Sequence, residues 1–166
     1  MKGDTERLRL LSRLAREFSE VTGDYDRLLE LISRRLCEVL GDMCVIRAAD
    51  ERGVMPEAGI VHHRDPEMVA WARALMASRP SAIGQGLPGQ VARSGRAVLI
   101  PETLPEEYAA TAPPEYRELI LRLRVGSVIA APMQRQGRMI GLVSLLRSGR
   151  GNPYTEGDLH LVENVA

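Results

Sequence analysis

Two apolar runs constrain the fold of this chain more than any other stretch: Ser127 to Met133 (SVIAAPM) and Met139 to Leu146 (MIGLVSLL), separated by a Gln136-Gly137-Arg138 turn. Together they read as a β-hairpin. A strand with one face in water alternates apolar and polar residues, whereas these runs are apolar on both faces. The sheet they belong to must therefore be covered on both sides, and the rest of the chain has to supply both covers.

Several helical segments can do so. From Asp4 to Thr22, Leu11, Leu14, Phe18 and Val21 recur at steps of three and four, predicting an amphipathic helix that Gly23 stops. Asp24 caps a second helix with the stripe Leu28, Ile32, Leu36 and Val39, ending at Gly41. Asp65-Pro66 opens a third over Glu67 to Ala77, with Met68, Trp71, Ala72 and Leu75 as its core side. Glu115 to Arg124 is helical by Tyr116, Leu119 and Leu123, is supported by the pair Glu118 and Arg122, and is ended by Gly126. Thr155 and Asp158 form a capping box, with Tyr154 placed to staple against Leu159. The stripe that follows, Leu159, Val162 and Val165, still runs at Ala166, so residues 155–166 are expected to begin a longer connecting helix.

Met43 to Ala49 reads as a strand, Asp50 to Gly53 as a turn, and Val54 to His63 as the returning strand. Arg47 interrupts the first strand's apolar run. An unpaired guanidinium there would cost several kcal/mol to bury, so it must reach water, a carboxylate or a bound anion. His62 and His63 are adjacent, point to opposite faces of a strand, and so are not a joint metal site.

Between these parts lies GQGLPGQVARSGRAVLIP, from Gly84 to Pro101. Pro88 suits a first helical residue and Gly95 a left-handed cap, so a short helix is expected, then a buried strand from Ala97 to Ile100. Its exposed backbone N–H groups could receive an anion or a carbonyl. Glu102 to Pro114 has no period and reads as a long ordered loop or lid.

Composition narrows the functional classes. The chain has 166 residues, 45% hydrophobic and 27% charged, enough for one domain with a sizeable core. Lys plus Arg and Asp plus Glu are 22 each, which argues against long-range attraction to nucleic acid or an anionic membrane. Met1 to Glu6 is polar and no apolar run would span a bilayer, so a cytoplasmic module without membrane insertion is expected. Cys37 and Cys44 lie in no paired motif and read as small buried hydrophobes. No nucleophile with a base, carboxylate pair or metal-ligand cluster suggests an enzyme.

Taken together, the two leading helices, the hairpin, GLPGQVARSGRAVLIP, the long loop, VGSVIAAPM, IGLVSLLRS and YTEGDLHLVENVA resemble the GAF domain family over nearly the whole chain. The resemblance implies an α+β fold: a central antiparallel sheet with terminal helices on one face, and short helices and loops closing a pocket on the other. The chain would be a single such domain, 1–166, with 1–22 a leading helix. Family members sense small molecules or act as dimerising relays within larger signalling proteins.

Particular variants of the family fit less well. Similar cyclic-nucleotide-binding members end the last strand with Asn-Lys and carry an aromatic residue followed at a spacing of four by Asp-Glu; here Tyr154 and Asp158 fit, but Leu146-Arg147-Ser148 occupies the first part and Leu159 replaces the final acid. Similar bilin carriers need a cysteine in the second half, and none follows Cys44. The pocket cysteines of the family's free methionine sulfoxide reductases are missing too. His62, His63 and His160 are the formal haem candidates.

Alternation in the first strand puts Val45 and Arg47 on one face, opposite Cys44 and Ile46. In similar GAF domains the face away from the terminal helices lines the pocket. The expected ligand-binding residues are Val45, Arg47, His62, Leu87, Gln90, Arg124 and Ser127, around an unidentified small molecule; an anionic one would suit Arg47. The expected function is a small-molecule-sensing regulatory domain, covalently linked to an output domain and paired as a homodimer through its terminal helices. The alternative is a ligand-free dimerisation and relay module.

Overall fold

The structure, a computed structural model, describes residues 24–49, 59–78 and 86–166, together with Arg9, Ser12, Arg13 and Arg16. The expected helix over 4–22, the turn over 50–53 and the strand residues 54–58 therefore lie wholly or mostly outside the described residues.

The chain forms α1 (Tyr25–Leu40), β1 (Met43–Ala48), β2 (Ile60–His63), α2 (Pro66–Ser78) and α3 (Gly86–Ser94). It continues as β3 (Val98–Ile100), α4 (Pro105–Thr111), α5 (Pro114–Leu123), β4 (Val125–Arg135), β5 (Arg138–Ser148) and α6 (Glu156–Val165). The five strands make one antiparallel sheet in the order β2-β1-β5-β4-β3. The apolar hairpin is thus β4-β5, near the middle of the sheet. Its turn residues Gln136 and Gly137 both have positive φ, 52° and 77°, whose twist matches that of the flanking strands.

Both covers are present. On one face α1 and α6 bury Leu29, Ile32, Leu36, Leu40, Leu161 and Val162 against Cys44, Ile46, Ile129, Ala131, Val143 and Leu145. On the other, α2, α4 and α5 pack Met68, Ala72, Ala109, Leu119 and Leu123 over Met43, Val128 and Leu146. Val91 of α3 closes the same face against Ala130 and Leu142. Each buried Val, Leu, Ile or Met side chain among these contributes about 1.5–3 kcal/mol, so the two layers together carry the stability of the fold.

Local signals account for most boundaries. Asp24 accepts from the Arg27 N–H at 3.1 Å and caps α1. The capping box at α6 is complete: Thr155 Oγ1 accepts from Asp158 N at 3.3 Å, and Asp158 Oδ2 accepts from Thr155 N at 2.8 Å. Gly95 follows α3 with φ 63°, as a left-handed cap requires.

Three expectations need correction. The buried stripe of α1 is Leu29, Ile32, Leu36 and Leu40, while Val39 is 44% exposed, because packing against the sheet turns the helix one residue from the expected face. The stretch expected as a loop contains α4: Pro105 presets its first turn, Glu106 and Glu107 favour the positive end of the helix dipole, and Ala109 is buried. Arg124, not Gly126, ends α5 in the left-handed conformation with φ 51°. Gly126 lies inside β4, where a Cβ would overlap the backbone carbonyl of Gly149.

Candidate functional site

The inner face of the sheet, away from α1 and α6, carries a polar interruption at its centre. Val45 of β1 stands opposite Ser144 of β5, which in turn stands opposite Ala130 of β4. Arg47 is two residues further along β1, opposite Leu142. Met43, Val128, Ala130, Leu142 and Leu146 around them are buried, whereas Val45, Arg47 and Ser144 are only half-buried. The covering helices therefore leave the middle of the sheet partly accessible on this side.

Arg47 crosses the gap. Its Nη2 donates to the phenol oxygen of Tyr116 on α5 at 2.7 Å, and its guanidinium carbon lies 5.4 Å from the centre of that ring. The register carries Arg47 towards Gly59, beside β2, where a Cβ would come within 3.1 Å of the arginine Cγ. The absent side chain leaves room for the stem. Tyr108 of α4 packs in the same layer, and burial pushes its phenol up to about 12, so it is a neutral hydrogen-bonding group. Arg122 of α5 stacks over Trp71 of α2 at 4.9 Å, joining two of the covering helices.

The structure sorts the expected ligand-binding residues into three groups. Val45, Arg47 and Leu87 lie on the inner face, with Leu87 packed against both inner-face clusters. Gln90 and Arg124 are exposed. His62 and Ser127 turn to the opposite side, because His62 pairs with Cys44 in register and a β-bulge between Val125 and Ser127 shifts the alternation of β4. The buried Ser127 hydroxyl is used structurally: it donates to Ile100 O at 3.0 Å and accepts from Tyr154 N at 2.9 Å.

Sequence reasoning missed Tyr116 and Ser144 as inner-face polar groups. The signal for Ser144 was legible, since it is the one polar residue in MIGLVSLL and alternates with Leu142 and Leu146. Tyr116 carried none, being an ordinary member of a helical stripe.

The cysteines are held away from chemistry. Burial pushes the Cys37 thiol up to about 12 and Cys44 well above its ordinary value, and Cys37 Sγ donates to His62 O at 3.3 Å. Among the described residues no group of three His, Cys, Asp or Glu side chains could hold a metal ion. None of the described helices is long and apolar enough to cross a membrane.

The GAF domain family model matches residues 24–166, the whole span of the sheet and both of its covers. The chain belongs to the GAF domain family. Among solved structures, this GAF domain is similar to that of a phosphoenolpyruvate-protein phosphotransferase from Coxiella burnetii, at 16% identity and a TM-score of 0.71, covering 96% of this chain and 87% of that one. It is also similar to a GAF domain from A. aeolicus in an inactive state, at 14% identity and a TM-score of 0.70, covering 98% and 92%. A third likeness is a GAF domain/HD domain protein from Geobacter sulfurreducens, at 20% identity and a TM-score of 0.66, covering 86% of each chain. At these identities the likeness establishes the fold. Comparison with curated proteins gives no match.

Proposed function

We propose that this GAF domain is a small-molecule-sensing regulatory module of a larger signal-transduction protein, with its ligand on the inner face of the sheet. The observation that carries this reading is the half-buried patch of Val45, Arg47 and Ser144 at the sheet's centre, where a domain built only for stability would be packed shut. Arg47 and Ser144 are the polar contacts of the patch, Tyr116 orients the guanidinium, and Val45 and Leu87 form apolar walls. A planar guanidinium suits a carboxylate or other oxo-acid. The module is non-catalytic and cytoplasmic in this reading, and ligand binding biases α6, which leads towards a covalently linked output domain.

The test is a thermal-shift panel of 2-oxo acids, dicarboxylates and phosphorylated small molecules. A member that raises the Tm of the native chain should lose its effect in Arg47→Ala, which still folds. Unchanged stabilisation in that variant would overturn the assignment.

A second reading, a ligand-free dimerising relay, is favoured by Tyr25 and Val39 of α1, which remain 48% and 44% exposed outside the core. A panel without any hit, together with a dimer by light scattering, would select it.

A further inference from the structure

A groove of about 590 Å³ lies along β2, the edge strand next to β1, and is lined by none of Val45, Arg47, Ser144 and Tyr116. Its floor is Ile60, Val61 and His62 of β2. One wall is α1, which contributes Arg27, Glu30, Arg34 and Arg35, and Arg73 comes from α2. The chain as a whole has no net charge, yet this groove gathers four arginines against one lining carboxylate.

The arginines differ in what they already do. Arg35 is paired with Glu38 at 2.7 Å. Among the described residues Arg27, Arg34 and Arg73 form no ion pair. Glu30 lies one turn from both Arg27 and Arg34 on α1 and still leaves them unpaired. Arg27 and Arg34 are seven residues apart, about 10 Å along the helix, so their charges are spread along the groove. A single small anion would engage one end of it. Three guanidiniums from two helices, with an imidazole at the floor, suit an anion with several linked acidic groups, each taken by a planar fork. The volume is that of a small-molecule site.

We propose that this groove binds an oligophosphate, a small molecule with two or more linked phosphoryl groups, held by Arg27, Arg34 and Arg73. It is a second site. Its arginines come from α1 and α2, whereas Arg47, Ser144 and Tyr116 come from β1, β5 and α5, so substitutions in the groove test it separately from the reading above. Binding there would tie α1 to α2, the two helices that flank the outer strand from opposite layers.

The experiment uses the whole chain and inorganic tripolyphosphate as the probe, with sodium sulfate at matched ionic strength as the comparison. Tripolyphosphate should raise the Tm, and added salt should weaken the effect. In the double variant Arg34→Gln/Arg73→Gln its affinity should fall at least about tenfold. The charge-matched double variant Arg117→Gln/Arg135→Gln, at exposed positions outside the groove, should bind as the native chain does. Circular dichroism checks that each variant folds. No Tm rise, an equal rise with sulfate, or undiminished binding by Arg34→Gln/Arg73→Gln would overturn the proposal. Binding of an oligoglutamate peptide in place of tripolyphosphate would also overturn it and assign the groove to an acidic protein segment.

Discussion

Arg47 and Tyr116, 69 positions apart in sequence, meet at 2.7 Å and join the central region of the sheet to the helix that covers it. The bond fixes a guanidinium that would otherwise sample several rotamers. Tyr116→Phe keeps the ring beneath the cation and removes the acceptor, so a loss of about 0.5–1.5 kcal/mol is expected in denaturant unfolding. An unchanged midpoint would mean that the pair contributes nothing to holding α5 on the sheet.

Ser144 separates stability from ligand binding. Ser144→Val adds apolar volume on a half-buried strand position, where β-branched residues fit well. The variant should be at least as stable as the native chain and should lose the Tm increase given by any panel compound whose effect depends on Arg47. Retained ligand stabilisation would place that compound elsewhere.

Ser127 should behave in the opposite way. Its buried hydroxyl holds Ile100 O and Tyr154 N, tying β3 and the approach to α6 to β4. Ser127→Ala leaves both partners unsatisfied and should cost about 1–3 kcal/mol, measured by urea denaturation, with ligand affinity unchanged.

Gly126→Ala should be among the most damaging small substitutions. The added methyl would overlap the Gly149 carbonyl oxygen, which belongs to the backbone and cannot rotate away. A loss of about 3 kcal/mol or failure to fold is expected, and a native-like Tm would show that the strand end relaxes freely.

His62 makes stability depend on pH. Burial first, and then the nearby Arg34 charge, hold its imidazole below the ordinary value of 6.5. The unfolded chain therefore binds more protons in the interval just below pH 6.5. Stability should be full above pH 6.5 and decline as the pH falls from there through the lowered native value. His62→Gln should flatten that part of the profile; an identical profile in the variant would assign the decline to other groups.

Much of the fold followed from interactions within a few residues. The α6 capping box, the Gly95 cap, the hairpin turn at Gln136-Gly137 and the opposition of Val45 and Arg47 to Cys44 and Ile46 all depend on spacing along one element. Such spacing is present in the sequence itself. Its limit shows at α1, where periodicity predicted a helix with an apolar side but the sheet selected Leu29 and Leu40 for burial over Val39.

The candidate site was legible only on its own strand. Alternation put Val45 and Arg47 on one face, opposite Cys44 and Ile46, as the structure has them, but nothing local places His62 or Ser127 relative to them. The β1-β2 register turns His62 to the side of Cys44, and a bulge after Val125 turns Ser127 towards Tyr154. Likewise Tyr116 became the partner of Arg47 only once α5 lay across the sheet. The sequence by itself therefore determined most of the elements, the caps of α1, α3 and α6, and the alternation within β1, because these depend on backbone geometry over two to four residues. Tertiary structure decided which faces share a layer and which polar groups meet, because register, bulges and helix rotation are settled by packing between segments far apart in the chain.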